Sequence, residues 1–272
     1  MAGGHLAGVR VSAAPTLVGR SMRAEYIRTG GRSRLWAVVM PAAAAIPMAI
    51  TFGIAAVAES FARIPGQISV LQVSTSNAAY WVITITVVLA AVAGADGQAT
   101  ENRYRTGQYV RLAIRPAWPV LVGRWLFYGA VAAAVAAVTL VVVLTLLPLI
   151  SPLVYGTVSV TDPVGARLLW TVPLLAFFAA GAGVGVGALI RSPIGAAGAI
   201  LLWAYAFESA AAYLPSGASL QRFMPLLNAV YGTGQDSVLT PPWGQTTALL
   251  YACAVFTAIF VIAAVERTIR ND

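Results

Sequence analysis

The chain has 272 residues, 59% of them hydrophobic and 10% charged, with a formal net charge of +8. An average soluble domain holds roughly 45–50% apolar and about 25% charged residues, so this composition excludes a water-soluble globule and makes the lipid bilayer the solvent of most of the chain. All 17 basic residues are arginines, dispersed in short segments between apolar runs; they read as topology signals and lipid anchors rather than a nucleic-acid face.

Residues 1–16 read as a polar tail. It holds the single histidine, His5, while the single cysteine, Cys253, lies in the last apolar run. One of each cannot build a disulfide framework or a Cys/His metal centre. The six arginines before residue 35 make the N-terminal region too basic for the leader of a cleaved signal peptide. Over 17–34 a helical wheel gathers Val18, Met22 and Tyr26 on one stripe and turns Arg20, Arg23 and Arg28 away from it. That pattern predicts an amphipathic helix lying on the membrane, with Val18, Met22 and Tyr26 in the apolar layer and Arg20 and Arg23 toward the headgroups.

Six apolar spans come next, at 35–58, 78–95, 120–150, 168–190, 194–214 and 246–265. Each meets the length of ~20 residues that a bilayer about 30 Å thick demands of a helix, so the expected fold is all-α and polytopic. Pro41 and Pro47 in the first span are compatible with this, because neighbouring helices can satisfy the carbonyls that proline frees. Glu59 and Arg63, one turn apart beyond that span, read as a surface ion pair worth under about 1 kcal/mol. Small residues mark candidate helix contacts: Gly181, Gly183, Gly185 and Gly187 form two overlapping G-x-x-x-G registers, and Gly129, Ala133 and Ala137 share that spacing.

Between the second and third spans, over 96–119, Tyr109, Val110, Ala113 and Ile114 fall on one arc and Arg111 and Arg115 on another. This predicts a short basic amphipathic helix closed by Pro116, suited to lipid headgroups or to a groove in a soluble partner. The segment 215–245 carries Leu220, Phe223, Met224, Leu226, Leu227, Val230 and Tyr231 between prolines, and reads as two short helices that dip back into the membrane. Trp170, Tyr213 and Trp243 suit an interfacial aromatic belt. Counting arginines by alternate segments gives 14 on the side of the N-terminus and 3 on the other, which predicts cytoplasmic termini.

The run Tyr104-Arg105-Thr106-Gly107, the alternation after it, Pro116, and Gly123-Arg124 leading into the third span resemble the permease subunits of ABC-2 type (type V exporter-like) ABC transporters. Arg23-Ala24-Glu25-Tyr26, the stretch 225–228 and the basic C-terminal tail add to the resemblance, which covers about 17–270. It differs in carrying Arg103 where relatives often have Glu, with Glu101 two residues upstream, and Gln108 in place of a common threonine.

The resemblance implies an N-terminal elbow helix over 17–34, a transmembrane domain over 35–272, a coupling helix between spans two and three, and a re-entrant hairpin over 215–245. It further implies ATPase coupling through Glu101, Arg103, Arg105, Gly107, Tyr109, Arg111 and Arg115. Because a Walker motif needs a lysine and this chain has none, ATP and Mg would be bound by a separate cytoplasmic ATPase subunit. Two such subunits, a second permease chain, identical or homologous, and the lipids of a bacterial plasma membrane would be the partners. The implied cargo is hydrophobic or amphipathic: a drug, antibiotic, lipid or glycolipid.

Glu208, toward the outer end of the fifth span, is either a candidate gate or path residue, since a carboxylate at membrane depth faces a cavity or a partner, or a simple interfacial carboxylate in reach of outside water. Trp81, Phe178, Trp203 and Phe207 either line such a path or pack between helices. An intramembrane enzyme is disfavoured for want of a nucleophile or base at depth. A secondary transporter, or a subunit serving assembly alone, stays open as the alternative.

Overall fold

The computed structural model describes residues 14–30, 33–64, 72–103 and 118–269. Among these every regular element is a helix. The first is α1 (Ala14–Thr29), followed by α2 (Met40–Ala62), α3 (Tyr80–Arg103) and α4 (Trp118–Ile150). Then come α5 (Pro152–Tyr155), α6 (Pro163–Leu189), α7 (Pro193–Leu201), α8 (Gly217–Gln221), α9 (Pro225–Gly232) and α10 (Gln245–Ile269). Among the described residues, five stretches are long and apolar enough to cross a membrane: Leu35–Ala62, Tyr80–Glu101, Trp118–Ile150, Pro163–Leu189 and Gln245–Ile269. The chain is therefore a polytopic helical membrane protein.

The fifth expected span is not a single α-helix. From Pro193 to Tyr213 the chain stays helical throughout, but it passes from α7 into a π-helical turn (Leu202–Phe207), a short α piece (Glu208–Ala210) and a 3₁₀ turn (Ala211–Tyr213). Another π-helical turn, Leu35–Val39, opens the first span. It lies just before Pro41, whose missing N–H removes an ordinary i→i−4 bond, and the Met40 N–H reaches back five residues to the Leu35 carbonyl.

Span ends also shift from the hydropathy limits. The second span continues two turns past Ala95, through Asp96, Gln98 and Glu101, because Gln98 and Glu101 are buried by other parts of the protein. At 33 residues, α4 is about 50 Å long, well beyond the hydrocarbon thickness. Proline at the first turns of α5, α6, α7 and α9 sets each start, where a missing N–H costs nothing.

At the centre lies α6, in contact with α3, α4 and α10. The two glycine registers divide between these neighbours. A side chain at Gly183 or Gly187 would strike the backbone of α3 at Ala91 and Ala95, whereas Gly181 faces Trp125 of α4 and Gly185 faces Phe260 of α10. The predicted stripe on α4 needs correction: Gly129, Ala132 and Ala136 are buried, while Ala133 and Ala137 are only half-buried. A 3.6-residue turn carries the contact face along i, i+3, i+7 here rather than i, i+4, i+8.

In the N-terminal helix the residues packed on the rest of the protein are others than the stripe expected in the membrane. Ser21, Glu25 and Thr29 are the buried residues of α1, Val18 and Met22 are half-buried, and Tyr26 is exposed together with Ile27. Arg20 and Arg23 are exposed, as their place on the wheel implies. The protein-facing side of the helix is polar, so an apolar stripe could not reveal it. The short helix expected near residues 103–115 falls outside the described residues after Arg103, as do Arg105, Gly107, Tyr109, Arg111 and Arg115.

Helix α1, the C-terminal ends of α3 and α10 and the N-terminal end of α4 meet at one end of the bundle, the near end. At the far end, Asp236 accepts hydrogen bonds from Ser76 Oγ (2.6 Å) and Asn77 Nδ2 (3.0 Å), and Gln235 accepts one from the Ala79 N–H at 3.1 Å. There Glu59 is buried rather than on the surface. Its carboxylate accepts from Ser151 Oγ (2.9 Å) and the Leu153 N–H (3.0 Å), holding the start of α5, while Arg63 pairs with it at 3.1 Å.

Candidate functional site

Two arrangements stand out from apolar packing: a buried polar strut at the near end and a partly open apolar cavity between helices.

The strut centres on Arg124, nearly two turns into α4 and 3% exposed. Its guanidinium donates to Glu25 of α1 at 2.7 Å and, on α3, to Glu101 at 2.7 Å and Gln98 at 2.6 Å. Arg28 donates to Glu25 (2.9 Å), to the Gly97 carbonyl (2.9 Å) and to the Tyr128 hydroxyl (3.0 Å). Arg267 of α10 lies 3.6 Å from Glu101. Three helices are thereby joined through charge-assisted hydrogen bonds and α10 through an ion pair, and the planar fork of arginine is the side chain that serves several acceptors at once. Close approach is built in: a side chain at Gly97 would overlap the Tyr128 ring, and one at Gly123 would overlap Ser21. Ser21 Oγ itself donates to the Val120 carbonyl at 3.2 Å.

Glu101, which the resemblance turns toward an ATPase, instead points inward at 3% exposure, its carboxylate engaged with Arg124. Spacing could not signal this, because Arg124 is 23 residues away and reads in the sequence as one more topology arginine.

The cavity, about 400 Å³, lies among α3, α6, α7 with its π turn, α9 and α10. That volume falls in the range of small-molecule pockets, roughly 300–1,000 Å³. Val88, Ala182, Ala199, Leu226, Phe256 and Ile259 are among its apolar walls, and Trp203 and Glu208 border it. Glu208 is 6% exposed and accepts hydrogen bonds from the N–H groups of Leu226 (3.0 Å) and Leu227 (3.3 Å), at the first turn of α9, and from Trp203 Nε1 (3.2 Å). The carboxylate thus satisfies donors that a helix start leaves without partners.

Of the five candidate path residues, Trp203 and Glu208 border the cavity, whereas Trp81, Phe178 and Phe207 do not. Phe178 packs on Trp125 and Phe177, Trp81 meets Tyr80 edge-on at 5.2 Å, and Phe207 is exposed beside Trp203. Sequence reading missed the small walls, such as Ala182 and Ala199, because helices apolar on every side carry no periodic mark of the face they turn to a cavity.

The segment 215–245 contains two short helices, α8 and α9, of which α9 packs against α10. Asn228, fully buried, organises it: Nδ2 donates to the Arg222 and Met224 carbonyls at 2.9 Å each, and Oδ1 accepts from Trp243 Nε1 at 2.9 Å. Trp243 therefore has a fixed partner inside the protein. Trp170 and Tyr213 are exposed, as a belt requires.

Compared with protein-family models and with curated proteins, the sequence matches none.

Proposed function

We propose that this chain is the membrane-spanning permease subunit of an ATP-driven exporter of the ABC-2 kind, with its near end in the cytoplasm of a bacterium and its ATPase on a separate polypeptide. In this reading α1 is the elbow helix and the segment after Arg103 is the handle on which the ATPase acts. The helical run from Pro193 to Tyr213 serves as a sixth span, and α8 with α9 forms the re-entrant hairpin.

The observation that carries the reading is the Glu25–Arg124–Glu101 strut. It ties the N-terminal helix to the last turn of α3 and the first turns of α4, the two helices that flank residues 104–117. A push on that segment is borne by a rigid frame of three helices rather than absorbed in side-chain motion, and ATP then stabilises one arrangement of a two-state bundle. Two permease chains and two ATPases complete the machine, and the cavity supports a hydrophobic or amphipathic cargo.

The test is co-purification with an ATPase expressed from a neighbouring gene. The paired substitution R111E/R115E is expected to weaken assembly and vanadate-sensitive ATP hydrolysis, with the folded membrane domain retained. Unaltered assembly and hydrolysis overturn the assignment of the handle; absence of any co-purifying ATPase overturns the exporter.

A further inference from the structure

We propose that the cavity binds a lipophilic organic cation, an ammonium or phosphonium centre carried on an apolar body, with Glu208 as its counter-charge and the Trp203 ring as its platform. This names the cargo class of the proposed exporter and rests on that reading for the transport step after binding; the site itself rests on geometry.

Among the described residues that line the cavity, Glu208 alone is charged. Glu25, Glu59 and Glu101 form ion pairs among the described residues, and Glu208 forms none there. Its donors are two backbone N–H groups and one indole N–H. Those bonds orient the carboxylate but bring no full positive charge. A buried carboxylate at membrane depth is costly and marks a ligand path or a pairing partner. An incoming cation therefore meets a counter-charge already stripped of water, an anion is repelled, and a neutral molecule gains only apolar burial.

The π turn supplies the second half of the site. In an α-helix, residues five apart lie about 140° from one another around the axis. The wider turn over Leu202–Phe207 brings Trp203 and Glu208 to the same side, where indole Nε1 donates to the carboxylate at 3.2 Å. Trp203 is half-exposed, with the Phe207 ring tilted against its own at 6.1 Å, and Phe256 stands on the α10 wall. An aromatic face beside a carboxylate in an apolar pocket is the chemistry that recognises organic ammonium groups. The remaining wall, built from residues such as Ala182, Ala199 and Ile259, receives the apolar body.

The experiment is equilibrium binding to the full chain in lipid nanodiscs, against empty nanodiscs, with two probes of equal shape and opposite charge: tetraphenylphosphonium and tetraphenylborate. Saturable binding of the phosphonium is expected, at least about tenfold tighter than the borate, and Glu208→Gln is expected to lose at least about tenfold of the phosphonium affinity. Trp203→Leu is expected to lose about threefold or more. Equal affinity for the two probes, or unchanged binding in E208Q, overturns the proposal. Because E208Q also alters the start of α9, Ala199→Trp fills the cavity from another wall without touching that contact; saturable phosphonium binding retained in A199W at native affinity overturns the proposal as well. The assay contains no ATPase, so phosphonium binding by a chain that recruits no ATPase upholds this site and removes the exporter reading alone.

Discussion

Arg124 carries more consequence than any other charged residue described. Replacing it by methionine takes from Glu25 and Glu101 their shared central cation and leaves the more peripheral Arg28 and Arg267 beside them. The expected cost is about 3 kcal/mol or more, read as a lower melting temperature of the protein in detergent. Arg124→Lys keeps the charge but not the planar fork that reaches Glu25, Gln98 and Glu101 together, so an intermediate loss is expected. Native stability in R124M contradicts the strut. A second contrast lies at the far end. Glu59→Ala removes the acceptor that holds the start of α5 and is expected to cost at least about 1 kcal/mol. Arg63→Ala, whose side chain is 66% exposed, is expected to cost less than that in the same thermal assay. The reverse order sinks this account of Glu59. Neither outcome was legible in the sequence: the pair of Glu59 with Arg63 was, but the burial of Glu59 depends on Ser151 and Leu153, more than ninety residues away.

Among elements, the central helix α6 makes the sharpest prediction. Gly183→Val would drive a side chain into the backbone of α3 at Ala91, where nothing flexible can yield, so loss of folded protein on size-exclusion chromatography is expected. Gly53→Ala in α2 meets nothing within 4 Å and replaces glycine by the best helix former. Its expected melting temperature is equal to or above the native one, and equivalent behaviour of the two variants would remove the case for close packing of α3 on α6. The small-residue signal in α6 was readable, and its abundance of glycine pointed to the right helix. Which register faces which neighbour was not, because a helix surrounded on several sides uses both. The same limit applies to α1: its apolar stripe was visible, whereas its docking face of Ser21, Glu25 and Thr29 is polar and gains meaning only against Arg124 and Val120.

For the whole molecule, orientation is the property to test. In a Cys253→Ala background, a cysteine at Val238, fully exposed at the far end, is expected to react with a membrane-impermeant maleimide added to intact cells. A cysteine at Arg23, exposed at the near end, is expected to react only after the membrane is opened. The opposite pattern inverts the orientation and removes the proposed site of ATPase action. Composition and hydropathy alone determined that this protein lives in a bilayer and is helical, because a chain 59% hydrophobic and 10% charged belongs in lipid, and continuous apolar runs of ~20 residues satisfy their backbone there as helices rather than as the shorter strands of a barrel. Run lengths likewise located most of the spans. Only the tertiary structure decided that the run from Pro193 to Tyr213 changes helix type, that Glu101 serves Arg124, and that Glu208 meets the start of α9 beside a cavity. Those features depend on groups far apart in the chain being brought within a few ångströms, and neither periodicity nor hydropathy contains that distance.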